Sequence, residues 1–252
     1  MEKKRLIATG VVIVSFVAGL LIGLVFEEVV GVGEDDETMD VTKDPYSVDI
    51  QPSDFVAGVD NPYFPLVPGT RLVYESQLLS PAERTEVVVT SETKKVMGIS
   101  CVVVRDTVSV EGSVVEDTYD WYAQDIHGNV WYMGEDSTEY DNGVAVSKEG
   151  SWEGGVDGAL PGIIMLANPS GGVTYRQEFY AGEAEDMGTV MALGESVTVP
   201  AGAYTDCIKT KDWTPLEPNV VEYKYYARGI GVVLEASLDG SERVELVEYS
   251  SG

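Results

Sequence analysis

DWYAQDIHGNVWYMGED, residues 120–136, packs two Trp-Tyr doublets, the chain's only histidine and acidic residues at both ends into seventeen positions. The doublets lie on either side of His127-Gly128, a dipeptide in which glycine supplies the positive φ that closes a tight turn. Side chains alternate along a strand. Trp121 therefore shares a face with Ala123 and Tyr122 with Gln124, and Trp131 opposes Tyr132 in the same way. The stretch reads as a β-hairpin carrying aromatics on both faces. One face is core; the other is either a second packing layer or a platform for an apolar or sugar ligand. Trp121, Tyr122, Trp131 and Tyr132, with Trp152 and Trp213, form the candidate ligand face. His127 reads as a solvated turn residue rather than a base.

The same grammar continues outward. RLVYESQLL, TEVVVTSET, SCVVVRDTVSV, VTYRQEFYA, CIKTKDW, VVEYKYYA, GVVLEASL and RVELVEY are rich in β-branched and aromatic residues. Glu111-Gly112, Asn142-Gly143 and Asp239-Gly240 mark further turns. NPYFPLVPGT, residues 61–70, holds three prolines and suits neither a helix nor a central strand. Gly182–Leu193 is the best helical candidate, with Ala184, Met187 and Met191 on one face, and Gly154–Pro169 reads as a long loop. The fold class expected is all-β: a curved antiparallel meander, half-barrel or barrel-like, over residues 51–252.

The N-terminus has a different character. After the cationic residues 1–5 comes an uncharged run, Leu6–Phe26, long enough to cross a bilayer as a helix. The charge bias across it places the N-terminus in the cytoplasm and the β domain outside. A cleaved signal peptide is the rival reading, but no A-x-A site follows the run. Gly19 and Gly23 have the G-x-x-x-G spacing that lets membrane helices approach, a route to a homo-oligomer. Residues 27–50 are acidic and aperiodic, a linker. For an exported chain, the pair Cys101 and Cys207 is expected to form a disulfide, with two buried free thiols as the alternative.

The chain carries 16 basic against 43 acidic residues, a formal net charge of -27. Such a surface repels phosphate backbones and argues against nucleic acid as a partner. It attracts cations, and Asp120, Asp125, Glu135, Asp136, Asp141, Glu183, Glu185 and Asp186 could supply oxygen ligands to Ca²⁺, although none sits in the spacing of a dedicated loop. One histidine cannot build a multi-histidine metal site, and Gly-rich phosphate loops, G-x-S-x-G and C-x-x-C are all lacking. A carboxylate pair is the one catalytic route left open.

NPYFPLVPGT, DWYAQDIHGNVWYMGED, SWEGGVDGALPGIIM and KYYARGIGVVLE together resemble an uncharacterised family of exported bacterial and archaeal β-rich proteins, over most of Asn61–Glu248. VPAGAYTDCIKTKDW followed by KYYARGIGVV is similar to the C-terminal pattern of half-barrels related to the lipoprotein-carrier fold. That likeness implies a curved sheet around an apolar cavity, and lipid or other apolar ligand binding. Arg228 stands where that pattern more often has proline, and the N-terminus lacks a lipoprotein cysteine. The expectation is a membrane-anchored, non-enzymatic domain that binds an apolar or carbohydrate ligand or a cell-envelope partner, without a cofactor. The alternative is a structural envelope protein, with Ca²⁺ as a stabiliser, and a carboxylate-dependent hydrolase comes last.

Overall fold

Residues 46–76 and 82–252 are described by a computed structural model. The expected cytoplasmic segment 1–5, the expected membrane run 6–26, the Gly19/Gly23 pair and residues 27–45 of the expected linker lie outside them. Among the described residues, no helix is long and apolar enough to cross a membrane.

Among the described residues, strand-forming runs separated by positive-φ turns fold into sixteen strands of one sheet. β1 (Phe55–Val56) precedes the first half, β2 (Arg71–Ser76), β3 (Glu83–Val96), β4 (Ile99–Val110), β5 (Ser113–Asp125) and β6 (Val130–Asp141). Short β7 (Val144–Ser147) and β8 (Trp152–Glu153) pair with β6, and β9 (Leu160–Met165), β10 (Thr174–Arg176) and β11 (Glu178–Phe179) follow. The second half is β12 (Met187–Val199), β13 (Gly202–Trp213), β14 (Val221–Ala227), β15 (Gly231–Ser237) and β16 (Arg243–Ser250). Glu111-Gly112 and Asn142-Gly143 turn with φ of 50° and 79°, and 51° and 76°, as two-residue hairpin loops require. Met97-Gly98 does the same at 51° and 81°, a turn without the usual Asn or Asp.

Each strand lies antiparallel beside its neighbour in a meander, and β16 returns to pair with β2. The sheet is thus a nearly closed barrel rather than a half-barrel. Its seam is one extended stretch, residues 174–179, which serves two neighbours. β10 pairs with β12, and after Gln177 the chain shifts so that β11 pairs with β9. The seam closes at Gly162, where a Cβ would stand 2.5 Å from the carbonyl oxygen of Arg176. Only glycine allows that approach.

Two sequence expectations are corrected. Gly182–Leu193 is not helical: Met187 onward is β12, because pairing with β13 overrides a weak helical face already broken by Gly188. Gly154–Pro169 is not wholly loop, since Leu160–Met165 forms β9 beside β6.

The barrel interior holds the larger apolar cluster, including Leu72, Val104, Tyr122, Tyr132, Tyr226 and Leu246. A second cluster lies on the opposite face of β3–β6, where Val96, Ile99, Cys101, Val103, Trp121 and Met133 are covered by Ile50 and Phe55. The aromatics of the β5–β6 hairpin feed both clusters, so its undecided face is a second packing layer.

Candidate functional site

The lead-in segment 57–68 crosses one mouth of the barrel. It is docked by backbone and side chain together: the Asp60 and Asn61 amides donate to Gln124 Oε1, and Asn61 Nδ2 donates to the carbonyl of Gly128. The Asp125 carboxylate organises the β5–β6 turn beneath it. It accepts from the amides of His127 and Asn129, from Asn129 Nδ2 and from Trp131 Nε1. Burial opposes its charge, but those four bonds hold the carboxyl below the usual carboxylate range. Its lone pairs are therefore spent on the turn, and His127 is exposed beside it.

Past this dock, Phe64 drops into the mouth. Its ring meets Tyr122 edge-on at 5.2 Å and lies 6.5 Å from Tyr226. Below it is an apolar chamber lined by Leu66, Leu72, Val87, Val104, Tyr226 and Val232 among others, with about 50 Å³ free. Whole-ligand sites run to about 300–1,000 Å³, so with Phe64 in place only the tip of a ligand fits.

Deeper still, the inward positions change character. β4 presents Val102, Val104 and then Asp106; β5 presents Tyr122, Asp120, Thr118 and Glu116; β14 presents Tyr226 and then Lys224. A bulge at Met133 shifts the parity of β6, so that Tyr132 and Glu135 both turn inward. The result is a layer of buried carboxyls under the apolar chamber. Tyrosines divide the two zones: Tyr132 donates to Asp120 Oδ1 at 2.8 Å and Tyr74 to the carbonyl of Val232 at 2.9 Å. Lys224 is the buried lysine of this layer, 3.3 Å from Asp212 Oδ2 and 3.8 Å from Glu235 Oε2. Desolvation works against its charge, yet Glu235 and Asp212 outweigh it and hold the ammonium well above the usual lysine range. Burial pushes Asp120 and Asp186 up to about 7, and Asp106, Glu135, Glu178 and Glu235 well above the carboxylate range.

The six sequence-predicted aromatics do not form one face. Tyr122, Tyr132 and Trp152 belong to the interior, Trp121 and Trp131 to the outer cluster, and Trp213 ends β13 at the barrel's other flank. Tyr122, Tyr132, Trp121 and Trp152 are all buried. The expected disulfide is corrected as well: Cys101 and Cys207 are free thiols, each buried, in different clusters on opposite sides of the sheet. Of the acids considered for Ca²⁺, Asp120 and Glu135 face each other across β5 and β6, while Asp136 and Asp141 lie at the surface. Among the described residues, no three His, Cys, Asp or Glu side chains are grouped to hold a metal ion. Sequence reading missed Asp106, Glu116, Glu178, Asp212, Lys224 and Glu235. For four of them the available signal was parity: Asp106 shares a face with Val104, Glu116 with Tyr122 and Lys224 with Tyr226, and Glu235 lies opposite Val244.

No family model and no curated protein matches this chain. A solved structure that resembles it is that of a candidate lipoprotein from Parabacteroides distasonis. The likeness has a TM-score of 0.40 at 13% identity, covering 75% of this chain and 98% of that one.

Proposed function

We propose that this chain is a membrane-anchored extracytoplasmic β-barrel that binds a slender apolar ligand at the Phe64 mouth, without covalent chemistry. The observation that carries it is the apolar chamber, plugged by a ring from a segment with little strand structure of its own. Phe64 occupies the mouth as a ligand would, and barrel mouths are a common place for apolar sites. The burial of Trp121, Tyr122, Tyr132 and Trp152 leaves a sugar platform with less support than an apolar ligand. The same holds for hydrolysis: Asp120 and Glu135, the cross-strand carboxyl pair, are 1% and 6% exposed. The anchor at residues 6–26, with the N-terminus cytoplasmic, supplies the location.

Binding of 1-N-phenylnaphthylamine to the purified chain, read by fluorescence, tests this reading. Phe64→Ala should enlarge the chamber and tighten binding several-fold. Absence of saturable binding in both forms would remove the apolar-ligand reading.

An envelope-protein partner is a second reading, favoured by β7. That edge strand pairs with β6 and exposes Val144 and Val146 at 64% and 60%. Unpaired edges invite strand addition by another chain. Val146→Lys should abolish cross-linking of the chain to its partner in native membranes if this edge is used.

A further inference from the structure

The carboxyl layer beneath the chamber has too little positive charge to be ionised as it stands. Asp106 is 1% exposed, and neither of its oxygens has a hydrogen-bond partner. Asp120 Oδ2 and the hydroxyl of Tyr122, which is 0% exposed, are likewise unpartnered. The groups facing these atoms come from every wall. Tyr74 comes from β2, Glu83 from β3, Glu116 from β5, Tyr132 and Glu135 from β6, and Glu178 from β11. The second-half strands add Asp212, Glu222, Lys224, Tyr226 and Glu235, with Asp186 in the turn before β12. Lys224 is engaged by Asp212 and Glu235, and Arg176 stacks on the rings of Tyr46 and Phe179. Neither lies against Asp106.

A buried carboxylate without a counter-charge costs several kcal/mol or more, so such a group either pairs, finds a metal or keeps its proton. Among the described residues no cation pairs with Asp106. The acids are not grouped as metal ligands among the described residues. We propose that this layer is a proton-binding site: Asp106, Asp120, Glu135 and Glu178 hold protons in the folded barrel, and losing them as pH rises loosens it. A protonated Asp106 gains a donor that can reach a neighbouring oxygen, which an ionised one lacks. Tyr122 shares the zone, its ring in the chamber wall and its hydroxyl beside the carboxyls, so the site lies against the ligand chamber without depending on it.

The sign follows from linkage. These groups have folded pKa values above their unfolded ones, with desolvation the first cause and neighbouring carboxyls the next. Their contribution is complete below the unfolded values, falls as pH rises from the unfolded towards the folded ones, and is gone above the folded ones, which for Asp120 is about 7. Ordinary surface acids titrate at about pH 4, so a scan begun at about pH 5.5 reads the part of the loss that belongs to the interior.

The test is thermal unfolding of the full chain in detergent from about pH 5.5 to about pH 8.5, in a His127→Gln background that silences the only histidine. Tm should fall by on the order of 5–10 °C across the range. Asp106→Asn, a neutral mimic of the protonated acid, should gain on the parent steadily from the acidic end to the alkaline end. A flat or rising Tm overturns the proposal, as does an Asp106→Asn loss of equal size at both ends. So does recovery of the parent's alkaline Tm by millimolar CaCl₂ or MgCl₂, which would make a metal ion the counter-charge. If Asp106→Asn fails to fold, Asp120→Asn and the parent's own profile still decide. Phenylnaphthylamine binding is read separately, so failure of the ligand reading leaves this result standing.

Discussion

Tyr122 and Tyr132 face each other directly across β5 and β6, their rings stacked at 5.1 Å and 25°, yet their hydroxyls have opposite fates. Tyr132 donates to Asp120 at 2.8 Å, whereas the Tyr122 hydroxyl has no partner. Removing a bonded group strands its partner, while removing an orphan relieves a desolvation cost. Tyr132→Phe should therefore lower stability by about 1–3 kcal/mol, and Tyr122→Phe should be neutral or stabilising by about 1 kcal/mol. Urea denaturation of the two variants, side by side, checks the contrast.

Lys224 makes the second prediction. It is 6% exposed, between Asp212 and Glu235 at 9% and 2%. Lys224→Met leaves both carboxyls without a cation, a change that costs about 3–5 kcal/mol when a buried pair loses one member. The loss should be larger at pH 8 than at pH 5. At the lower pH Glu235, whose carboxyl burial already pushes well above the usual range, takes up a proton; at the higher one it must stay ionised without its cation. Denaturant midpoints at the two pH values measure the difference.

The third concerns the thiols. Burial pushes the Cys101 thiol up to about 12 and raises Cys207 as well, so neither presents a thiolate at neutral pH. A thiol reagent should modify neither cysteine in the folded chain and both in the unfolded, unreduced chain. A disulfide would leave the unfolded chain unlabelled until reductant is added.

The fourth addresses the seam. A Cβ at Gly162 would meet the Arg176 carbonyl and Gln177 backbone at 2.5 Å, and backbone cannot rotate away as a side chain can. Gly162→Ala should cost about 2–4 kcal/mol. Gly143→Ala, at φ of 76° on an open turn, should cost about 1–2 kcal/mol. Similar losses at both sites would mean the seam is looser than the structure has it.

Much of the fold was legible because strand runs and their turns are local. Glu111-Gly112 and Asn142-Gly143 announce hairpins by chemistry alone, and the Trp-Tyr doublets announce a two-sided strand pair. The helix expected at Gly182–Leu193 failed for a nonlocal reason: what holds β12 extended is its ladder with β13, which no short window contains. The same gap hid the site. Asp106 and Lys224 look like surface charges until their parity with Val104 and Tyr226 is known to point inward, and the bulge at Met133 breaks that parity where it matters most. Phe64 was concealed differently, since a phenylalanine among prolines carries no periodicity to show where it packs.

The return of β16 to β2 carries a consequence for assembly. Apart from the short β1, which pairs with β5, the other pairs join strands close in the chain, while this one joins residues 71–76 to residues 243–250. Hairpins can accumulate one after another during synthesis, each closing on its predecessor, with β2 left as an open flank until β16 arrives. Loop-closure entropy grows only slowly with length, so the distance itself is a modest barrier. The exposure in the meantime is the greater hazard, because β2 and β15 would both present bare edges to neighbouring chains. A chain lacking β16 should aggregate rather than persist as an open sheet.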